Sequence, residues 1–571
     1  MKEVFENWMK NWKQFTFVAI LVIFSIFIGF TACGNNGGNN DFNDFTVTFE
    51  LEGGNINGDT AFVTITVKSG ETIKNLPNPQ KANNFFGGWF TEKNGLGNIF
   101  TEMSMITENL TVYAKWGPPI NVLGSTLTEK LQWLSSNAMS NCSYIIEVTS
   151  NEFLVPQRLS YIGRSNINIK LIGIGSEKII DLYGKGSLFD IQNEVTLILD
   201  ENITLRGISN NNASLVKVNQ GGNLILNSRT KIINNISGGG INVDRGYFIM
   251  NGGEISGNSS SFGGGVYINN STFIMNEGEI SGNFKDTSTS TSDASGGGVY
   301  VSNGTFIMNN GKISGNSVNF SNSTTGGGVY VSGTFTLNDG EISGNSLRGY
   351  YTSNGGGVFI SNGTFTMNGG KILGNTSAMY SGGIYNASNG GGVYVSPTGT
   401  FIMNGGEISG NSSSNGGGVG VGAGIFIMNN GEISSNSSSS RYSSSLGTSS
   451  YGGGVYVING VFTMIGGKIL ANSSSAITSR GGGVYIYFTW RNIKFEKTGG
   501  IITGYSSDQT NGNMVVNGSG SIQIGYGDAV YVAHSDSRFI RRKESSSELL
   551  DTLVFITNDP NPPTISGLWD N

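Results

Sequence analysis

Histidine is nearly missing from this chain, with one residue, His534, in 571. Imidazole catalysis and His-rich metal sites therefore have almost no material to work with. Cysteine is as scarce: Cys33 and Cys142 are the only two, too few for a disulfide framework. Only 13% of residues are charged, the net charge is -6, and no long basic cluster occurs. That balance argues against nucleic acid as a partner. Low charge does not mean disorder here, because 37% of residues are apolar and 11% aromatic.

What the chain has in excess is glycine, 89 residues, together with serine and asparagine. Much of the glycine sits in one recurring unit, GGGVYINNSTFIMNEGEISGN at 263–283. The unit recurs eight times over 238–472, six copies being 21 residues long, with a degenerate ninth copy from Gly481. Self-similarity at a fixed period points to a solenoid.

The N-terminus carries Lys2, Lys10 and Lys13 ahead of an apolar or small run over 15–32, ending at Cys33 and the polar stretch GNNGGNNDFND. That is the layout of a secretory signal. Phe30-Thr31-Ala32-Cys33 resembles a bacterial lipobox, with Phe30 in place of the usual Leu. The resemblance implies lipidation of Cys33 and a membrane partner through that anchor. The other reading is an uncleaved helix of about 18 residues, just long enough to span a bilayer. Either way the rest of the chain is expected to be exported, on a flexible tether at 34–44. Cys142 is then a lone thiol, expected to be buried and inert.

Over 45–117 alternating runs such as VTFEL and LTVYA read as strands between Gly, Asn and Pro turns. Gly53-Gly54, Leu76-Pro77, Pro79, Gly88-Trp89-Phe90-Thr91 and Tyr113-Ala114-Lys115-Trp116 follow one another in an order that resembles the Listeria-Bacteroides (internalin B-type) repeat. That resemblance implies a small β-grasp-like module of bacterial surface proteins, a spacer or binding unit without catalysis. Trp89 and Trp116 are expected in its core, with a ligand platform as the alternative. Residues 118–237 are read as a helical cap and irregular first turns: Leu127, Leu131, Leu134 and Ala138 share a helical face, and Thr126 with Glu129 forms a capping box.

From 238 to 504 each unit is expected to supply three short strands. Val266 and Ile268, Phe273 and Met275, and Ile280 point inward, and stacked turns bury them continuously. The fold class expected is all-β, a right-handed parallel β-helix with three short strands per turn, preceded by the small module. Equivalent asparagines, Asn258, Asn283, Asn316, Asn345, Asn375, Asn411, Asn436 and Asn472, are expected to form an amide ladder. Residues 505–571 are read as last turns and a C-terminal cap. The GGG and F-x-x-N motifs, the latter intact seven times, resemble the repeats of chlamydial polymorphic outer-membrane proteins. That resemblance implies a β-helical adhesin. The third glycine stands where those repeats have alanine, and too little sequence follows the repeats for an autotransporter barrel.

Two columns carry the candidate chemistry. The charge position runs Glu254, Glu279, Lys312, Glu341, Lys371, Glu407, Glu432 and Lys468, a pattern suited to exposed ion pairs. Its adjacent acids, Glu254 with Glu279 and Glu407 with Glu432, are the only candidates for a carboxylate dyad. The outward position of the first strand runs Tyr267, Tyr300, Tyr330, Phe359, Tyr394, Gly420, Tyr456 and Tyr485. It reads either as a stack stabilising the sheet or as an exposed platform for a glycan or protein. Ser- and Asn-rich insertions of 4–15 residues before each GGG enter at one corner and read as surface loops. No catalytic residue, metal or cofactor is expected. The function expected is that of a non-catalytic lipoprotein of the outer membrane or cell surface, acting as an adhesin. The alternatives are a polysaccharide lyase or hydrolase and a structural spacer.

Overall fold

The computed structural model describes residues 44–571 apart from 57, 74–75, 78, 80, 82–83, 102–103, 118–119, 141, 287–292, 320–322, 380–387, 440–448, 488–493, 518, 524–527, 533–538, 543–548, 554–563, 566–567 and 570–571. The expected signal segment, Cys33 and nearly all of the tether lie outside the described residues. No helix among the described residues is long and apolar enough to cross a membrane.

The N-terminal unit is a small mixed sheet. Its strands are β1 (Asp44–Glu50), β2 (Val63–Lys68), β3 (Phe85–Glu92), β4 (Leu96–Phe100) and β5 (Leu110–Gly117). They lie in the order β2-β1-β5-β3-β4, with β1 and β5 parallel and both hairpins antiparallel. Alternation along β1 buries Val47 and Phe49 beneath Trp89, which meets Phe49 edge-on at 4.9 Å. The Trp89 indole donates to the Pro77 carbonyl at 2.9 Å. Trp116 is half-buried and donates to the Leu51 carbonyl at 2.7 Å. Both indoles thus hold the turns flanking β1 and β3.

The second unit opens with α1 (Leu127–Asn137). Thr126 accepts from the Glu129 N–H, and Glu129 in return accepts from the Thr126 N–H, the capping box read from the sequence. Leu127, Leu131 and Leu134 are buried in the same apolar cluster as Tyr144 and Leu154 of the first solenoid strands. This apolar face covers the first layer, which would otherwise meet water. Cys142 is half-buried against that cluster, more open than expected.

Beyond α1 the chain winds into a parallel β-solenoid. In the turn starting at Gly296 the three expected strands are Val299–Ser302, Thr305–Met308 and Lys312–Ser314. Each pairs in parallel register with its equivalent one turn on, Tyr300 with Tyr330, Phe306 with Phe335 and Ile313 with Ile342. The inward columns are buried throughout: valines of the first strand, Phe and Met of the second, Ile of the third. Phe273, Phe306, Phe335, Phe365, Phe401, Phe426 and Phe462 stack ring on ring with centroids 4.6–5.0 Å apart. At the far end, Thr564–Ile565 and Leu568–Trp569 pair antiparallel with Val530–Val532 and Ile501–Thr503. The parallel ladder thus ends in reversed strands, as a terminal cap requires.

The insertions before GGG are not plain loops. Directly after the ladder asparagine a fourth strand forms, from Phe284–Asp286 through Ser317–Asn319 to Met514–Val516, making an eight-stranded sheet. In several insertions a fifth strand follows, as in Ala294–Ser295, Ser323–Thr325 and Thr352–Asn354, and again in Ser449–Tyr451 and Thr478–Arg480. Ala294, Val318 and Leu347 build a small apolar cluster of their own. Thr324 and Ser353 are fully buried, and their hydroxyls bond at 2.9 Å. This side layer is therefore held by stacked hydroxyls as much as by apolar contact.

Candidate functional site

The GGG that opens each unit is the hinge between the side layer and the solenoid wall. Its first glycine holds a left-handed φ, +65° at Gly296 and +62° at Gly326. A Cβ on the second, Gly297, would fall 2.5 Å from the carbonyl oxygen of Gly327 one turn on. A Cβ on the third, Gly298, would fall 2.8 Å from the Gly328 oxygen and 3.0 Å from the Asn316 amide nitrogen. Three stacked columns without side chains are what this close approach demands.

Here the structure revises one sequence expectation. The seven aromatic residues of the outward column do form a stack. Tyr267, Tyr300, Tyr330, Phe359 and Tyr394 lie nearly parallel, with centroids 4.3–5.6 Å apart, and Tyr456 stacks on Tyr485 at 5.7 Å. The expected exposure is not there. Tyr267, Tyr300, Tyr330 and Tyr394 are half-buried, and Phe359, Tyr456 and Tyr485 are 8%, 9% and 6% exposed. Residues of the insertions cover them: Phe262 meets Tyr300 edge-on at 5.4 Å, and Tyr451 stacks on Tyr485 at 4.5 Å. Burial pushes the hydroxyls of Tyr300, Tyr394, Tyr456 and Tyr485 above their ordinary range. At the break, Tyr394 lies over Gly420 and Gly422: a Cβ on Gly422 would fall 2.1 Å from its hydroxyl, and one on Gly420 would press on its ring at 3.0 Å. Glycine at those positions makes room for the ring.

Two amide ladders run the length of the repeats. The expected one is fully buried, each Nδ2 donating to the next Oδ1 at 2.8–3.0 Å from Asn258 to Asn513. The same oxygens accept the backbone N–H of the preceding asparagine, as from Asn316 to Asn345 at 3.0 Å. The second ladder was missed. It consists of the F-x-x-N asparagines, whose Nδ2 groups donate the opposite way, from Asn251 to Asn227 through Asn429 to Asn404, at 2.7–3.1 Å. The constant Asn three residues after each Phe was its sequence signal. Ile465 ends it.

Beside this outer ladder runs the charge column in the register expected, Glu279 against Lys312 and onward. Lys312 meets Glu341 at 3.2 Å and Lys371 meets Glu407 at 3.5 Å. The Ser343 hydroxyl, then Lys312 and Lys371, hold the Glu341 carboxyl below its usual range. In the candidate dyads, Glu254 accepts from Ser256 at 2.5 Å, Glu279 from Ser314 at 2.8 Å and Glu407 from Ser409 at 2.6 Å. Among the described residues no group of three or more His, Cys, Asp or Glu is placed to hold a metal ion. Between the outer ladder and the charge column lies a shallow groove of ≈ 620 Å³, bordered by Asn430, Glu432 and Lys468 and floored by glycines.

Residues 45–115 match the Listeria-Bacteroides repeat domain, in agreement with the motifs read from the sequence. No curated protein and no solved structure matches the chain. The N-terminal unit carries a Listeria-Bacteroides repeat domain, and the described residues that follow α1 form a parallel β-solenoid.

Proposed function

We propose that this chain is an exported lipoprotein, anchored through Cys33, that displays its β-solenoid at the outer membrane or cell surface and acts there as an adhesin toward host or matrix molecules. One observation carries the reading. The repeated side chains are consumed in stacking, as Phe columns, two amide ladders and an ion-pair column. Such a body is a scaffold extended by adding equivalent turns, and it presents surfaces rather than a single reaction centre. The Listeria-Bacteroides repeat at 45–115 supports a surface setting, since that module resembles units of bacterial surface proteins. Three of the four candidate dyad carboxylates, Glu254, Glu279 and Glu407, accept from serine hydroxyls, which favours a structural part for them over the lyase or hydrolase alternative.

The burial of the aromatic column favours a second reading, a structural spacer, because the platform with the clearest binding chemistry is largely covered. Cells with and without the chain, compared for attachment to immobilised matrix proteins and glycans, separate the two. Attachment that depends on the chain supports the adhesin. Equal attachment removes it and leaves the spacer.

A further inference from the structure

The outward side of the second strand has no charge over most of the solenoid. Phe273 and Met275 point inward, so Thr272, Ile274 and Asn276 share the outer face, as Thr334, Thr336 and Asn338 do two turns on. Stacked in register, these positions make three columns: a first that is mostly threonine, a second of isoleucine and threonine, and the outer amide ladder. Over nine successive turns, from the strand at Asn223 to the strand at Val461, none of the three columns holds a charged residue. Charge returns at both ends, with Asp200 one turn before Asn227 and Glu496 one turn after Thr463. The neighbouring third strand is charged along the same turns, at Glu279, Lys312 and Glu341. Apolar side chains lie open within the strip: Tyr247, Ile425 and Ile465 are 50%, 42% and 45% exposed.

We infer that this strip is a self-association surface, on which a second copy of the chain lies face to face across a two-fold axis. Three observations favour a second copy as the occupant. The first is period: rows spaced at about 4.8 Å interlock along their whole length only with rows of the same spacing, which another copy of this solenoid supplies. The second is area. Nine turns by five strand residues make a face of about 43 Å by 17 Å, so a pair of copies removes on the order of 1,400 Å² from water, within the range of stable interfaces. The third is charge. Two copies of a chain with net charge -6 repel each other, and a strip cleared of charge lets them meet, as interface cores are depleted of charged residues. Antiparallel copies related by an axis along the strands set each column against itself, with the Thr334–Thr336 row on the axis and the Asn column at the wet rim. The inference rests on neither the lipid anchor nor the adhesin reading.

Light scattering after size-exclusion chromatography of the full chain in non-ionic detergent tests it. The expected particle contains two copies. Thr336→Arg places like charges opposite each other near the axis and is expected to weaken the pair about a hundred-fold or more, giving single copies at the same concentration. Thr366→Arg, one turn away, is expected to do the same. Asn319→Arg, on the outward side of the side layer, leaves the pair intact. An unchanged circular dichroism spectrum confirms that each variant is folded. A single copy in the parent chain, or a pair that survives both strip substitutions, as one held by the apolar run at 15–32 would, overturns the proposal. So does a single-copy chain that sediments with crystalline cellulose through this strip, which would give the face to a flat glycan surface.

Discussion

Asn345 donates from Nδ2 to the Oδ1 of Asn375 at 2.9 Å, one turn apart and fully buried. Its own Oδ1 accepts both the backbone N–H and the Nδ2 of Asn316, each at 3.0 Å. Removing this amide leaves the Asn316 N–H without its acceptor in a place water does not reach. Asn345→Ala is therefore expected to cost about 3 kcal/mol, from lost bonds and an orphaned donor. In the exposed ladder, Asn338→Ala is expected to cost less than about 1 kcal/mol, because water replaces the amide. Urea unfolding of the two variants checks the contrast, and equal losses would contradict it.

The glycine columns invite a steric test. At Gly297 a Cβ would meet the Gly327 oxygen at 2.5 Å, while at Gly315 it meets nothing within 4 Å but the residue holds φ +60°. Gly315→Ala should cost only the backbone strain, about 1 kcal/mol. Gly297→Ala must push two turns apart and is expected to cost about 3 kcal/mol. Reversal of that order in denaturant melts would show that the GGG columns are not close-packed.

The covered tyrosines give a pH dependence. Burial raises the Tyr456 and Tyr485 hydroxyls above their ordinary value of about 10. In the unfolded chain both ionise near pH 10, whereas the folded chain retains their protons to higher pH. Their contribution to stability is thus complete below about pH 10 and is lost as pH rises through the folded values. Melting temperatures should hold steady from pH 8 to about 9.5 and fall above 10. A Tyr456→Phe and Tyr485→Phe double variant should flatten that fall, and an identical curve would sink the assignment.

How far the sequence could be read depended on where apolar periodicity carried the information. Val266, Phe273, Met275 and Ile280 alternate with polar neighbours, so strand positions and inward columns were legible, as was the buried ladder through Asn258. The cap was legible too, since Thr126 and Glu129 stand at capping-box spacing. The side layer was not. Its buried members include Thr324, Ser353, Ser377 and Ser450, hydroxyl residues that in sequence resemble any surface loop. They are buried because neighbouring turns supply the same hydroxyls as partners, a property of the stack and of no single copy. The misplaced exposure of Tyr456 and Tyr485 has the same origin, for the covering residue Tyr451 comes from one of those insertions.

The anchor has its own test. Replacing Cys33 by alanine should abolish incorporation of radiolabelled palmitate and leave the signal segment uncleaved at that position. Unchanged labelling would place the lipid elsewhere or nowhere.

Surface display is the claim on which the functional account rests, and protease shaving of intact cells addresses it most directly. The account predicts that added protease removes the chain from intact cells while a periplasmic marker survives. The tightly stacked repeats over 238–504 should persist as a released resistant core. Full protection of the chain until the outer membrane is broken would contradict it.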